Sequence, residues 1–206
     1  MSVNPFASVQ LSSEAAQDMR PQATQSYVAG RRDDPLAFIT IPQLLDRACE
    51  ENGAGDAAIF DEQNVTLSWD SLRRRADDLA ASLLAMGIRR GNRVAIWSPN
   101  RVEWLITQFG TARIGAVLVN INPAYRPVEL EFALNKVRAR VLIMARTVKS
   151  SDYLAMLREI APEIDRPDES TSQFHASRLP ALKHNGVLGD GPRPPATKAW
   201  SQLIRT

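Results

Sequence analysis

The segment RVAIWSPNRVEWLITQFGTARIGAVLVNINPAYRPVELEFALNKVRARVLIM, residues 93–144, decides the fold of this 206-residue chain. Strand-like apolar runs alternate in it with helix-like runs, in the order RVAIW (93–97), VEWLITQF (102–109), AVLVN (116–120), PVELEFALNKV (127–137) and RVLIM (140–144). The apolar runs predict strands that are covered on both faces. Strands separated by helices with short connections predict a parallel β-α-β-α-β sheet with right-handed crossovers.

The segment before this unit predicts two helices and a hairpin. TIPQLLDRACEEN (40–52) reads as a helix with proline in its first turn, and Leu44, Leu45 and Ala48 recur in it at helical spacing. AAIF (57–60) and VTLS (65–68), separated by four polar residues, predict a β-hairpin.

A longer helix follows the hairpin. Ser68 is suited to cap it, Asp70 lies in its first turn, and Gly87 is suited to end it in a left-handed conformation. Its apolar residues recur at steps of three and four and predict one buried stripe: Trp69, Leu72, Ala76, Leu79, Ala80, Leu83 and Leu84.

The two ends of the chain are less regular. Residues 1–37 are polar and weakly patterned, and they predict an irregular lead segment before a domain at 38–206. SDYLAMLREI (151–160) predicts a further helix. From residue 161 onward prolines and glycines predict loop, with one short strand near Gly186–Leu188 and the start of another element at SQLI (201–204). The predicted fold class is therefore α/β, a mostly parallel sheet flanked by helices with an N-terminal β-hairpin.

Composition excludes several classes of protein. Hydrophobic residues make up 44% and charged residues 23%, which indicates a globular chain, and the net charge is only +2. Arginines at 31–32, 73–75 and 89–90 stand near acids and are interpreted as solvated helix faces, since no basic patch with interleaved aromatics indicates nucleic-acid binding.

Cysteine and histidine do not form a recognisable site in the sequence. Cys49 is the single cysteine, which excludes a disulfide framework, and it is interpreted as a small buried side chain of a helix. His175 and His184 are expected outside well-formed elements, and no metal-ligand spacing is present.

The start of the chain predicts a protein without a targeting segment. MSVNPFASVQLSSEAAQDMR lacks a basic region followed by a continuous apolar run, and it carries Glu14 and Asp18. No apolar run reaches the ~18 residues that span a bilayer. The expected location is the cytoplasm, with no transmembrane segment.

Two phosphate-binding motifs are absent where the fold would place them. The turn after the first strand, SPNRVE (98–103), has no glycine, which argues against dinucleotide binding. Gly110 and Gly115 are spaced like part of a Walker loop but lead into a strand, so GTARIG is interpreted as a helix end and a tight connection.

The corner VLVNINPAYRP (117–127) lies at the carboxyl end of a predicted parallel strand, where open α/β sheets usually bind ligands. A helix begins at Pro127, but Glu129 and Glu131 already place negative charge in its first turns and would repel a phosphate. We therefore favour a purely architectural role for this corner over ligand contact.

Several of these stretches resemble the N-terminal portion of adenylate-forming (AMP-binding) enzymes, and within them the medium- and long-chain fatty acyl-CoA ligases. The stretches that carry the resemblance are LSWDSL (67–72), GIRRGNRVAIWSPNRVEW (87–104), ARIGAVLVNINPAY (112–125), Glu129 or Glu131 followed by Leu134, and RLPALKHNGVLGDGPRPPATKAWSQLI (178–204). Trp69, Asp70 and Asn92 replace the family's more usual tyrosine, glutamate and aspartate. The resemblance covers residues 38–204.

The resemblance implies an ATP-dependent reaction in two steps. A carboxylate attacks the α-phosphate of ATP to give an acyl-adenylate and pyrophosphate, and the thiol of coenzyme A then displaces AMP. Mg²⁺ would neutralise phosphate oxygens in the first step. ATP, Mg²⁺ and coenzyme A are thus the cofactors expected for a complete enzyme.

The family's phosphate loop, of the type Y-T-S-G-T-T-G-x-P-K-G, does not occur in these 206 residues. The adenine and ribose motifs, the hinge and the mobile C-terminal domain with its catalytic lysine are expected beyond Thr206. The sequence therefore assigns no catalytic, cofactor-binding or metal residue to this chain.

Two functions follow as hypotheses. The first is an N-terminal fragment of an acyl-CoA synthetase, truncated before the phosphate loop and inactive alone, with the remainder of the ligase as its partner. The alternative is a non-catalytic binding module that reuses the half-domain. Without the remainder, apolar surface around Trp97, Trp104 or Phe109 is expected to be exposed, with weak folding cooperativity or self-association.

Overall fold

A computed structural model describes residues 38–166, 174–189 and 191–204. The predicted lead segment at 1–37 lies outside the described residues. The other residues form helices α1 (Ile41–Asn52), α2 (Trp69–Ala85), α3 (Val102–Arg113), α4 (Pro127–Val137), α5 (Tyr153–Ile160) and α6 (Trp200–Leu203). The strands are β1 (Asp56–Phe60), β2 (Val65–Ser68), β3 (Arg93–Trp97), β4 (Val117–Asn120), β5 (Val141–Met144), β6 (Thr147–Val148), β7 (Ser151–Asp152), β8 (His184–Val187) and β9 (Lys198–Ala199).

The main sheet has five parallel strands in the order β4-β3-β5-β8-β9. The predicted β-α-β-α-β unit forms its first three strands, with β3 between β4 and β5. Since β3 connects to β4 on one side while β5 leads away on the other, the direction of winding changes between β3 and β5. The carboxyl ends of these two strands mark the place where such a sheet can bind a ligand.

Side chains of the central strands alternate between two apolar cores. Ala95, Trp97, Leu142 and Met144 face the core that contains α4 and α5. Val94, Ile96, Val141 and Ile143 face the core formed with α1, α2, α3 and α6. Both faces of β3 and β5 are thus covered, which explains their continuous apolar sequences.

The predicted cap at Ser68 and the predicted helix end at Gly87 are confirmed, and α1 has a similar cap at Thr40. The Thr40 hydroxyl accepts from the backbone N–H of Gln43 at the start of α1, and Ser68 accepts from Ser71 N–H at the start of α2. Gly87, which follows α2, has φ +80°, the left-handed conformation expected of a helix-ending glycine.

The hairpin is also confirmed, since β1 and β2 pair antiparallel. Gln63, in the 3₁₀ turn Asp61–Gln63 between them, accepts from the backbone N–H of Val102 at 2.8 Å. Its side-chain amide donates to Glu103 at 3.1 Å. The hairpin is therefore fastened to the start of α3.

One arginine joins the three helices on the same side of the sheet. Arg113, at the end of α3, donates to Asp46 of α1 at 2.6 Å and forms an ion pair with Asp77 of α2 at 2.7 Å. Hydrogen bonding to Arg113 lowers the pKa of Asp46 against the opposing effect of burial. The pairs are partly exposed, so their role is to set helix positions rather than to add much stability.

Several details differ from the sequence predictions. α3 extends to Arg113, so Gly110 lies inside the helix instead of ending it. Leu44 and Leu84 are exposed, because α1 and α2 turn Leu45 and Leu83 toward the core. The short pair β6–β7 takes up the start of the helix predicted at 151–160, and β9 was not predicted.

Candidate functional site at the carboxyl edge of the sheet

Two stacked aromatic side chains lie beneath the carboxyl edge where the winding changes direction. Trp97, the last residue of β3, and Tyr153, the first of α5, have ring centroids 3.6 Å apart and planes inclined by 3°. Both side chains are fully buried. The expected exposure of Trp97 is therefore wrong, because α5 closes over it.

The same pair holds the corner after β4. The indole N–H of Trp97 donates to the carbonyl oxygen of Asn122 at 3.1 Å, and the hydroxyl of Tyr153 donates to the carbonyl oxygen of Pro123 at 2.6 Å. Burial raises the pKa of Tyr153, so its hydroxyl stays protonated and continues to donate. Two buried donors thus fix two consecutive backbone carbonyls of the corner.

The corner is further closed by its own hydrogen bonds. The side-chain oxygen of Asn122 accepts from Ala124 N–H at 2.9 Å, and its carbonyl accepts from Tyr125 N–H at 3.0 Å. This is an asparagine-initiated turn, the role for which Asn before Pro is well suited. These bonds engage both the side-chain and the backbone oxygen of Asn122 and support the architectural interpretation.

The two glutamates of α4 are engaged in structural contacts. Glu129 accepts from the backbone N–H of Arg126 at 3.1 Å, which closes the start of the helix. Glu131 forms a bidentate pair with Arg178, whose Nε lies 2.9 Å from its Oε1. The expectation that these acids counteract anion binding at Pro127 is not tested by the structure and stays a prediction.

A buried carboxylate lies at the start of α3, the helix that follows β3. Glu103 in the first turn of α3 is buried and accepts from Arg101 and Gln63. Burial acts to raise the pKa of Glu103, but the hydrogen bonds from Arg101 and Gln63 outweigh it and the pKa lies below its usual value. A carboxylate held ionised in this way braces the α3 start and is a poor proton donor.

Two residues with buried polar atoms were not predicted from the sequence. Arg146 lies two residues after the end of β5; its Nη1 donates to the carbonyl of Pro192, and its buried Nε has no hydrogen-bond partner among the described residues. Asn185 in β8 is buried, with both side-chain polar atoms unpaired in the described part of the chain. A basic residue two positions after a buried strand was the available signal for Arg146; an asparagine beside the short strand predicted near Gly186–Leu188 was the signal for Asn185.

The thiol and imidazole groups are structural. Cys49 is buried, as predicted, and its Sγ lies 3.3 Å from the carbonyl oxygen of Trp69; burial raises its pKa. His184 lies in β8, contrary to the expectation, and its Nε2 is 3.1 Å from the carbonyl oxygen of Met86. His175 is exposed in a loop. The described residues contain no cluster of His, Cys, Asp and Glu that could hold a metal ion.

Comparison with known proteins places this arrangement in a family. The family model described as "AMP-binding enzyme" matches residues 45–202, which is most of the chain. The chain belongs to the AMP-binding enzyme family. The resemblance to AMP-binding enzymes that its sequence stretches indicated is therefore confirmed.

Curated relatives and solved structures agree with that assignment. The medium-chain acyl-CoA ligase ACSF2, mitochondrial, of Danio rerio is 36% identical over 174 residues, covering 84% of this chain and 28% of the relative. The crystal structure of the anthranilate CoA ligase AuaEII in complex with anthranoyl-AMP is similar with a TM-score of 0.66 at 25% identity, covering 84% of this chain and 29% of that one.

A third likeness concerns the fold alone. The N-terminal domain of FACL13 from Mycobacterium tuberculosis matches with a TM-score of 0.59 at 20% identity, covering 81% of this chain and 35% of that chain. The predicted fold class is thus confirmed. This AMP-binding domain spans little more than a quarter of the length of the zebrafish relative.

No helix in residues 38–166, 174–189 and 191–204 is both long enough and apolar enough to cross a bilayer.

Proposed function

We propose that this AMP-binding domain is the N-terminal part of an ATP-dependent acyl-CoA synthetase. The complete enzyme would join a carboxylate to AMP with release of pyrophosphate, and then transfer the acyl group to the thiol of coenzyme A with release of AMP. ATP, Mg²⁺ and coenzyme A would be its cofactors, and a fatty acid its substrate. The observation that carries the proposal is the family match over residues 45–202.

The role of this chain in that enzyme is to supply structure. Its carboxyl edge is occupied by the Trp97–Tyr153 stack and by a corner whose carbonyls those side chains bind. We assign no residue here to ATP, Mg²⁺ or coenzyme A. The isolated chain is accordingly proposed to be inactive, and the remainder of the ligase to be its partner. The cytoplasm remains the proposed compartment, although the zebrafish relative carries the word mitochondrial in its name.

The proposal is tested with two proteins. The first is the isolated chain; the second is a chimera in which residues 45–202 replace the matching segment of the zebrafish ligase. ATP–pyrophosphate exchange is measured with straight-chain fatty acids of several lengths, and with benzoate and anthranilate as aromatic alternatives. The isolated chain should show only background exchange, and the chimera should show exchange that depends on a fatty acid.

Each result bears on a different part of the proposal. Exchange by the isolated chain would overturn its predicted inactivity. A folded chimera without exchange on any carboxylate would count against the ligase assignment, and exchange with the aromatic acids alone would count against the fatty acid. The zebrafish ligase lacking the segment is the control for activity that does not depend on residues 45–202.

A further inference from the structure

The amino edge of the parallel sheet is opposite the edge described above, and several connections meet there. Arg140 N–H donates to the carbonyl of Arg93 at 2.9 Å, and Lys183 N–H donates to the carbonyl of Arg140 at 2.8 Å. Val117 N–H donates to the carbonyl of Asn92 at 2.8 Å. The beginnings of β4, β3, β5 and β8 are therefore joined side by side, and the residues around them share one surface.

That surface is strongly basic. We call it the basic edge and define it by Arg89, Arg90, Arg93, Lys136, Arg138, Arg140 and Lys183. Residues 86–93, 114–117, 136–140 and 181–184, which form it, include no aspartate or glutamate. None of its cations forms an ion pair within the described parts of the chain, whereas arginines elsewhere, such as Arg113 and Arg178, are paired with carboxylates.

Part of the basic edge is held rigidly by the backbone. The guanidinium of Arg93 donates to the carbonyls of Val137 and Gly91 at 2.5 and 2.9 Å. Arg89 donates to the carbonyls of Leu84 and Ile88 at 2.8 and 2.9 Å. These groups satisfy their donors while keeping their full positive charge, since a carbonyl does not neutralise a cation. Arg89 and Arg90 thus lie in a loop without acidic partners, which corrects their interpretation as a solvated helix face.

Three other arginines of the basic edge are exposed to solvent. Arg90, Arg138 and Arg140 are exposed, and their side chains form no hydrogen bond within the described residues. The stem of Arg90 lies against Gly115, whose φ is +66°. The electrostatic effect of the surface reaches a buried group: besides burial, the charges of Lys198, Arg140 and Lys183 lower the pKa of His184. The edge therefore carries a positive potential that the described residues do not compensate.

Exposed apolar side chains adjoin the basic edge. Val117 pairs in register with Arg93 and is 48% exposed. Leu84, whose carbonyl binds Arg89, is 43% exposed. A combination of unpaired cations with shallow apolar side chains is typical of surfaces that adsorb to anionic membranes, where headgroup charge and the acyl boundary are met together.

We propose that the basic edge docks on the surface of an anionic lipid bilayer. Its lack of carboxylates complements the negative headgroups, and Leu84 and Val117 can enter the interface. Residues 86–93, 114–117, 136–140 and 181–184 hold no Phe, Tyr or Trp on which an unpaired base could stack, and the ring of His184 is buried. This favours lipid over single-stranded nucleic acid. The docking is peripheral and rests on charge, so it does not depend on the proposed ligase activity.

The experiment is co-sedimentation of the 206-residue chain with vesicles. Phosphatidylcholine vesicles are compared with vesicles that contain about 30% phosphatidylglycerol, which supplies a negative surface potential. The chain should bind only the anionic vesicles, and binding should weaken when the salt rises from about 0.1 M to about 0.5 M, since salt screens exposed charges. The triple variant Arg90→Glu, Arg138→Glu, Arg140→Glu should bind about tenfold more weakly or worse.

A matched triple variant controls for net charge and for backbone strain. Arg74→Glu, Arg126→Glu and Lys149→Glu change the charge by the same amount at exposed positions outside the basic edge. Lys149 has φ +52° and Arg138 has φ +51°, so both triples substitute one residue in the left-handed conformation. Circular dichroism checks that both variants fold. The control should bind anionic vesicles like the unmodified chain.

Three outcomes would overturn the proposal. The first is binding that does not distinguish anionic from zwitterionic vesicles, or no binding to either. The second is an equal loss of binding in the two triple variants, which would indicate a general effect of net charge. The third is tighter binding to polyglutamate or to an oligonucleotide than to vesicles at the same charge concentration, which would assign the edge to another partner.

Discussion

At the scale of single residues, the corner after β4 depends on two side chains from other elements. Trp97 and Tyr153 stack on one another, and each donates to one carbonyl of the Asn122–Pro123 pair. An aromatic pair contributes packing beyond its buried area, and a buried carbonyl without a donor is costly. The residues most recognisable in the sequence, Asn122 and Pro123, are thus positioned by residues that the sequence does not mark as their partners.

The Tyr153 hydroxyl is tested by Tyr153→Phe. The variant keeps the stack but leaves the carbonyl of Pro123 without its donor, so we expect a loss of about 1 kcal/mol in the free energy of unfolding. Tyr153→Leu also removes the stack, and we expect a loss of about 3 kcal/mol. Urea unfolding measures both. The control is Tyr125→Phe, since the Tyr125 hydroxyl makes no hydrogen bond within the described residues; a similar loss there would contradict the assigned bond.

His184 predicts how stability depends on pH. Burial lowers its pKa in the folded chain, so the imidazole stays neutral there while it protonates near its ordinary value in the unfolded chain. The stabilisation is present above the unfolded pKa and is lost as the pH falls from there through the lower folded pKa. We expect the free energy of unfolding to decrease between about pH 7.5 and 5.5, and His184→Gln to flatten that decrease. A decrease that is unchanged in His184→Gln would contradict this assignment.

At the scale of elements, periodicity predicted most of the fold. β3 and α4 were predicted with the bounds that the structure has, because an apolar run between polar residues and a proline at a helix start are local signals. The hairpin was also predicted from a local signal, two β-prone runs separated by a polar turn. The architectural role of the corner followed from Pro127 and the early glutamates, but its hydrogen-bond donors did not.

The sequence predictions were wrong where contacts between separate segments of the chain determine burial or strand pairing. Leu44 and Leu84 fit an apolar stripe but are exposed among the described residues, whereas Leu45 and Leu83 are buried against other elements. His184 became a strand residue because β5 supplies a parallel partner for β8, and β9 formed only because β8 was there to pair with it. The β5–β8 pairing joins residues 43 apart, such as Val141 and His184, and the β8–β9 pairing joins residues 12 apart. Such pairings between separate segments leave little trace in a short window of sequence.

Gly110 is the clearest case of a residue whose role is set by a neighbouring helix. A Cβ at this position would lie 3.0 Å from Leu79 Cδ2 and 3.1 Å from the carbonyl oxygen of Ala76. The glycine therefore lets α3 approach α2 closely. The helix interior would otherwise favour alanine over glycine.

We expect Gly110→Ala to lower the free energy of unfolding by about 1–3 kcal/mol through overpacking, in spite of its better helix propensity. The double variant Gly110→Ala, Leu79→Ala makes room on the α2 side, so its loss should be smaller than the sum of the two single losses. Urea denaturation of the four proteins completes the cycle. A stabilised Gly110→Ala, or additive losses, would show that the two helices do not meet at this residue.

At the scale of the whole molecule, two cores share one sheet. β3 and β5 contribute alternate side chains to both, so neither core can lose its strands without the other. The outer strand β4 and the outer face of α4 remain uncovered in the described residues, and the exposed apolar side chains there are Val117, Val128 and Phe132. The apolar surface expected around Trp97 is thus located on α4 instead, while Trp104 and Phe109 are half-buried.

This surface predicts self-association of the 206-residue chain. Val128 and Phe132 lie one helical turn apart on α4 and are 74% and 67% exposed, so pairing of two copies would remove a contiguous apolar stripe from water. Sedimentation velocity over a range of concentrations should show a reversible dimer or larger species, and the variant Val128→Ser, Phe132→Ser should be monomeric throughout.

The matched control is Ile41→Ser, Leu44→Ser, which removes two apolar side chains of similar exposure, 52% and 55%, from α1. It should associate like the unmodified chain, because these side chains lie on a different helix. Association that persists in the α4 variant and disappears in the α1 variant would move the contact to α1. An unmodified chain that stays monomeric at every concentration would show that these exposed side chains are tolerated singly, as isolated surface apolar residues usually are.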